Sequence, residues 1–230
     1  MSERAGEGAR DAVLGRLREV LGSRDGAAAE EARRTAALTR LVAPVANTIP
    51  LRADLPPEER VVLFTAQAEA VQTIVQRLDR AEELPEAVAA FLRQHNLPME
   101  LVMAVDPLLE QADWRRTLLQ VRHGQAEDSD VVGLTTAFAG IAETGTLMLV
   151  SSRARPTSLA FLPDNSFIVL PSARVLRAYE DGFQLLRDEL RDLPRSVNFI
   201  TGPSRTGDIE QTILLGAHGP RRLHIVVVNG

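Results

Sequence analysis

The chain has 230 residues, 45% apolar and 25% charged, with a formal net charge of −5. That allows one large domain, or a domain with a helical appendage, and argues against wholesale disorder and a nucleic-acid sheath. There is no cysteine and all 26 basic residues are arginine, which excludes disulfides, thiolate nucleophiles, cysteine-ligated zinc or iron–sulfur centres, Schiff bases and a P-loop lysine.

What chemistry remains falls to carboxylates, hydroxyls, arginine, backbone amides and four histidines. No run approaches the roughly 18 apolar residues of a membrane span, and the N-terminus lacks an apolar signal core, so a cytoplasmic protein is expected.

Val13, Leu14, Leu17, Val20 and Leu21 share one face of a helix that Gly22 can stop. Arg24 to Arg34 is weakly patterned and reads as a linker or a poorly packed helix. Residues 1–50 are therefore expected to form an N-terminal helix and linker, and 51–230 an α/β domain. Pro56 and Pro57, followed by Glu58 and Glu59, open a helix. Val61, Phe64, Ala68, Val71, Val75 and Leu78 continue it at steps of three and four, which predicts one long amphipathic helix. A second helix runs from Pro85 through Leu92 to a stop at Asn96.

Leu101–Val105 has the length and apolarity of a strand buried on both faces. A short helix is predicted around Trp114 within Asp106–Arg116, a strand over Leu118–Arg122, and a polar loop from His123 to Asp130. Further buried strands are expected at Leu147–Val150, Phe167–Leu170, Val197–Ile200 and Leu223–Val228. A short helix over Pro156–Leu162 and a surface helix striped by Leu176, Tyr179, Phe183, Leu186 and Leu190 lie between them. These elements predict an α/β fold with an open, mostly parallel sheet and helices on both faces.

Two polar stretches interrupt this apolar frame. In the first, Glu143 stands among Thr144, Gly145 and Thr146, just before a buried strand. It can be a nucleophile or general base, or it can accept hydrogen bonds from nearby amides and pin a turn. In the second, Thr201–Pro220, Ser204, Arg205 and Thr206 can cradle an anion if a helix begins near Ser204, and Arg205 adds a bidentate donor. The same residues, with Asp208 and Glu210, also make an ordinary helix entry.

Asp208 and Glu210 share a face only if the segment is extended. His218 lies in a glycine turn, where it can move a proton or bond a loop carbonyl. His123 is an open candidate, and His224, inside the final strand, reads as structural. The histidine spacing matches no metal motif, so no protein-bound metal is expected. No Gly-x-Gly-x-x-Gly follows a strand and no Gly-x-Ser-x-Gly elbow occurs.

Gly140-Ile-Ala-Glu-Thr-Gly-Thr146, Leu162-Pro163 before Ile168-Val-Leu170, Thr201-Gly-Pro-Ser-Arg-Thr206, Asp208-Ile-Glu210 and Gly216-Ala-His-Gly-Pro220 resemble the LUD domain family, densely from about Gly133 onward. Gly207 stands where that family usually carries alanine. The resemblance implies a fold similar to the NagB/RpiA/CoA-transferase group. It also implies a role in oxidising L-lactate to pyruvate with two iron–sulfur proteins, lactate utilization proteins A and B, which would hold every cluster. In CoA transferases of similar fold a glutamate is the nucleophile, and Glu143 is its counterpart by analogy of fold alone.

The expected site has Glu143 to Thr146 facing Ser204 to Asp208 across strand ends in one pocket. Arg205 would hold a small carboxylate or phosphate there, and Glu143 or His218 would move a proton. Two rival expectations are a stand-alone enzyme handling CoA or phosphosugars and a non-catalytic assembly module.

Overall fold

The structure is a computed structural model that describes residues 3–22, 27–43, 48–190, 192, 194–206, 214–215 and 219–229. The chain divides into two compact units, Met1–Thr48 and Ile49–Gly230. The first contains α1 (Glu3–Gly22) and α2 (Ala27–Val42). The weakly patterned stretch beginning at Arg24 thus carries a regular helix from Ala27, because its alanines and glutamates favour one even without a stripe.

The second unit runs through α3 (Pro57–Ala70), β1 (Ile74–Leu78), α4 (Leu84–Gln94), β2 (Glu100–Met103), α5 (Pro107–Glu110), β3 (Gln120–His123), β4 (Val132–Thr136), β5 (Ala139–Ile141), β6 (Thr146–Val150) and α6 (Ser158–Phe161). It continues through β7 (Asn165–Pro171), β8 (Val175–Leu176), α7 (Tyr179–Glu189), β9 (Val197–Ile200), β10 (Arg205–Thr206), β11 (Leu214–Leu215) and β12 (Arg222–Val228). Among the described residues no helix is long and apolar enough to cross a membrane.

The long helix expected over residues 57–78 breaks at Val71. Gln72 turns the chain with φ of 65°, and the β-branched run Thr73-Ile74-Val75 enters β1, where Val75 pairs with Ile225. The spacing of Val75 and Leu78 coincides with a helical stripe only because three- and four-residue steps also occur by chance across a turn. Asp106–Arg116 likewise resolves into two short turns, α5 and a single 3-10 turn at Trp114–Arg116. Asp106 caps the first through Leu108 N at 3.0 Å, and Asp113 the second through Arg115 N at 3.2 Å.

Six strands form a sheet in the order β1-β12-β7-β4-β2-β3, and every pair in it is parallel. Alternation of side chains along β7 and β12 divides the core. Phe167, Val169, Val226 and Val228 pack with Leu84, Val88 and Leu92 of α4. Ile168, Leu170, Ile225 and Val227 pack with Val61, Phe64 and Ala68 of α3. Both faces are covered, which is why these strands read as unbroken apolar runs.

The second face is covered by more than a helix. Strands β8, β5, β6 and β9 form a separate four-stranded sheet in that order. In it β6 pairs antiparallel with both β5 and β9, and only the β5–β8 pair is parallel. Leu147 and Leu149 face α3 and the large sheet, whereas Met148 and Val150 face Leu186 of α7. A doubly buried strand looks the same in either sheet, so Leu147–Val150 was legible as a strand but not as the partner of Val197–Ile200. The latter, expected to be buried, is an edge strand in which only Ile200 is buried and Phe199 is 38% exposed.

Candidate functional site

The first polar stretch is the connection from β5 to β6. Glu143 is buried at 7% exposure, and its carboxylate accepts from the backbone N–H of Tyr179 at 3.2 Å, at the start of α7. Its own N–H donates to the Arg177 carbonyl at 3.1 Å. Arg52 donates to the Glu143 carbonyl at 2.8 Å. The carboxylate therefore satisfies one of the amides that every helix start leaves without an intrahelical partner.

Arg177 is committed elsewhere. It grips Asp181 with two bonds of 2.9 Å and reaches Asp54 at 3.4 Å. That pairing holds the Asp181 carboxyl below its ordinary range and raises the guanidinium further still.

Beyond Glu143 the chain makes a tight turn on the end of α3. Gly145 has φ of 65°, and a Cβ there would lie 2.3 Å from Ala68 N. The second polar stretch docks on the same helix end. Gly202 has φ of 81°, and a Cβ there would lie 2.8 Å from the Val71 carbonyl. Both glycines are thus required by conformation and by close backbone approach. The Arg205 guanidinium also donates to the Val71 carbonyl, at 3.3 Å. Ser204 N–H donates to the Pro220 carbonyl at 2.9 Å.

A hydroxyl network joins the two stretches. Thr146 Oγ1 lies 2.8 Å from Thr144 Oγ1 and 2.6 Å from Thr201 Oγ1. Tyr179 Oη donates to Thr146 Oγ1 at 3.0 Å and accepts from Thr144 Oγ1 at 3.2 Å. Thr146 is fully buried, Thr144 and Tyr179 are half-buried, and Thr201 and Arg205 are exposed, so the network runs from core to surface. Tyr179 and Phe183 pack their rings against Phe199 of β9 at 5.3 and 5.7 Å.

Glu143 to Thr146 and Thr201 to Arg205 thus share one helix end. Arg205 and Thr206 lie in β10, paired antiparallel with Leu214 and Leu215, and not in the helix start that the anion cradle near Ser204 required. Asp208, Glu210 and His218 fall outside the described residues. Tyr179 was missed because it fits the apolar stripe of α7, although it is the chain's single tyrosine. Thr201 lay inside the marked stretch, but only the fold reveals its hydroxyl partner.

A second polar cluster lies at the carboxyl ends of β2 and β4. Within the large sheet the strand that follows β2 is β3 on one side, and the strand that follows β4 is β7 on the other, reached by way of β5 and β6 of the small sheet. That divergence opens the crevice in which open parallel sheets bind ligands. Asp106, 9% exposed, accepts from Thr136 Oγ1 at 2.7 Å and sits 3.8 Å from the Arg155 guanidinium. In the sequence this aspartate only opens the stretch expected to form a short helix around Trp114, and nothing near it marked Thr136 or Arg155 as its partners.

A six-stranded parallel sheet sandwiched between helices and a smaller, mostly antiparallel sheet defines a layered α/β protein. The chain belongs to the LUD domain family, whose model matches residues 61–228. The fold is similar to that of a DUF162 family protein from Deinococcus radiodurans, known from a crystal structure. The TM-score is 0.57 at 24% identity, covering 76% of this chain and 99% of that one.

Lactate utilization protein C of Shouchella clausii is 34% identical over 107 residues, 46% of each chain. The protein of that name from Anoxybacillus flavithermus is 29% identical over 104 residues, 45% of this chain and 46% of that one. An uncharacterized protein of Neisseria meningitidis serogroup B is 36% identical over 96 residues, 42% of this chain and 41% of that one. The match therefore spans less than half the length of these relatives.

Proposed function

We propose that this chain is a cytoplasmic subunit of a system oxidising L-lactate to pyruvate, working with the iron–sulfur partners lactate utilization proteins A and B. Relatives that carry the name lactate utilization protein C support the lactate role. With no cysteine in these 230 residues, cysteine-ligated clusters in such a system belong to the partners.

The observation that carries a ligand site is the hydroxyl network rising from buried Thr146 to exposed Thr201, beside Arg205. In this reading Thr144, Thr201 and Tyr179 offer hydroxyls to a small hydroxy acid. Among the described residues Arg205 gives an N–H to the Val71 carbonyl, and in this reading the other donors of its five-donor fork take the carboxylate. Glu143 holds the start of α7 under Tyr179, a positioning role that matches its bond to the Tyr179 amide.

The test is reconstitution. The chain is co-purified with the two iron–sulfur proteins, and lactate-dependent reduction of their clusters is followed with and without it. The reading predicts loss of lactate oxidation when the chain is omitted, and weakened lactate dependence in Arg205→Gln. Full activity without the chain would overturn the subunit role. Turnover of acyl-CoA by the isolated chain, with a covalent adduct on Glu143, would replace it by a stand-alone transferase.

A further inference from the structure

We propose that the cavity outside the carboxyl ends of β2, β3 and β4 binds the phosphoryl group of a small molecule, at a site separate from the hydroxyl network and independent of the lactate reading. The cavity has a volume of about 760 Å³, and its lining includes Ser151, Ser152, Arg153, Ser158, Arg195 and Ser196. That is the size of ordinary small-molecule sites.

Its location follows from the hydrogen bonds of its wall. The loop after β6 lies over the end of β2, because Val105 N–H donates to the Ala154 carbonyl at 3.0 Å and Arg155 approaches Asp106 at 3.8 Å. It is also fastened near the end of β3, where Ala126 N–H donates to Ser158 Oγ at 3.1 Å. This is the crevice where the connections from β2 and β4 diverge.

Serine hydroxyls of the wall take part in building it. Ser151 Oγ accepts from Ser196 N–H at 2.9 Å, while Ser151 N–H donates to the Ser196 carbonyl at 3.1 Å. Ser152 Oγ accepts from Arg155 N–H at 3.0 Å, and Ser152 N–H donates to the Arg155 carbonyl at 3.2 Å. Two loops are thereby held in a fixed frame, one carrying Arg153 and the other Arg195.

Both arginines are exposed on the cavity. Among the described residues neither side chain has a hydrogen-bonding or ionic partner, whereas Arg155 next door is drawn to Asp106. Two uncommitted planar guanidiniums on a rigid frame, with no carboxylate in the lining, form a receptor for a multiply charged oxyanion. A phosphoryl group, with three acceptor oxygens and close to two negative charges, can satisfy both forks at once.

The probe is inorganic pyrophosphate, titrated calorimetrically into the full chain at low ionic strength, with succinate as a dicarboxylate comparison. Pyrophosphate should bind, succinate should bind much more weakly, and Arg153→Gln or Arg195→Gln should each weaken pyrophosphate by about tenfold. Arg153→Lys and Arg195→Lys should retain part of the affinity, and Arg77→Gln, on β1 at the opposite edge of the large sheet, should change nothing. Melting temperatures of the variants check that each is folded. Absence of pyrophosphate binding, undiminished binding in the Arg153→Gln/Arg195→Gln pair, or equal binding of succinate would each overturn the proposal.

Discussion

Thr146 Oγ1 lies 2.6 Å from Thr201 Oγ1, and this contact ties two motifs 55 positions apart in the sequence into one structure. Thr146 is at 0% exposure, so no water can replace the bonds it makes to Thr144, Thr201 and Tyr179. Thr146→Val keeps the shape and removes the hydroxyl. We expect a loss of about 0.5–1.5 kcal/mol in urea denaturation, the net contribution of a hydrogen-bonded hydroxyl whose partners are half-buried or exposed and can turn to water. Thr146→Ser, which keeps the hydroxyl, should lose less. Equal stability of wild type and the valine variant would show that the network contributes nothing to the fold.

The end of α3 is the shared platform for both motifs, and the glycines are what let them reach it. Gly145→Ala places a Cβ at 2.3 Å from Ala68 N, and Gly202→Ala places one at 2.8 Å from the Val71 carbonyl. Each also forces an alanine to positive φ, which by itself costs about 1–2 kcal/mol. Gly124 has φ of 126° but nothing within 4 Å of its would-be Cβ, so Gly124→Ala carries only the conformational penalty. Denaturant midpoints should fall clearly further for the first two than for the third. Similar losses in all three would mean that α3 shifts to make room.

Glu143 can be tested as a positioning residue because glutamine keeps its acceptor oxygen. Glu143→Gln retains a carbonyl for the Tyr179 amide at 3.2 Å, so stability should stay within about 1 kcal/mol of wild type. Lactate oxidation by the reconstituted system should persist. Glu143→Ala leaves the amide at the start of α7 without its acceptor and should lower both. A glutamine variant that is fully folded yet inactive would make the carboxylate a chemical participant.

Much of this architecture was legible residue by residue. Phe167–Leu170 and Leu223–Val228 announced themselves as doubly buried strands, and Pro85–Leu92 as a helix with its stop at Asn96. Local pattern could not report which strands pair, because burial on both faces gives β6 and β7 the same signature although they lie in different sheets. It also carried the helical stripe of α3 past its real end, where Gln72 turns the backbone.

In the candidate site, Glu143, Thr146 and Arg205 were marked by their glycine and hydroxyl neighbours. Tyr179 was hidden in a helical stripe, and Asp106 at the start of a short predicted helix. Arg155 meets Asp106 across 49 positions only because the loop after β6 folds back over β2. Contacts of that range are set by topology, to which sequence periodicity is blind.

His224 supplies a prediction about pH. Its ring lies 4.6 Å from Phe167 and 5.1 Å from Phe91, and among the described residues neither of its buried nitrogens has a hydrogen-bond partner. Burial, with a smaller contribution from His95, pushes it from the ordinary 6.5 down to about 4. Above pH 6.5 the ring is neutral in both folded and unfolded chains and leaves stability unaffected. As pH falls from 6.5 toward 4 the unfolded chain takes a proton that the folded one refuses. Stability should therefore drop across that window by about 3 kcal/mol in total.

The Asp181 carboxyl, held low by Arg177, contributes stability above the ordinary carboxylate value of 3.8 and loses it as pH falls through its still lower folded value. Its effect therefore lies on the acid side of the histidine window. Urea denaturation of wild type and His224→Leu between pH 7 and 4.5 separates the two groups. The leucine variant should be markedly flatter over this range. An unchanged slope in His224→Leu would assign the acid sensitivity to carboxylates instead.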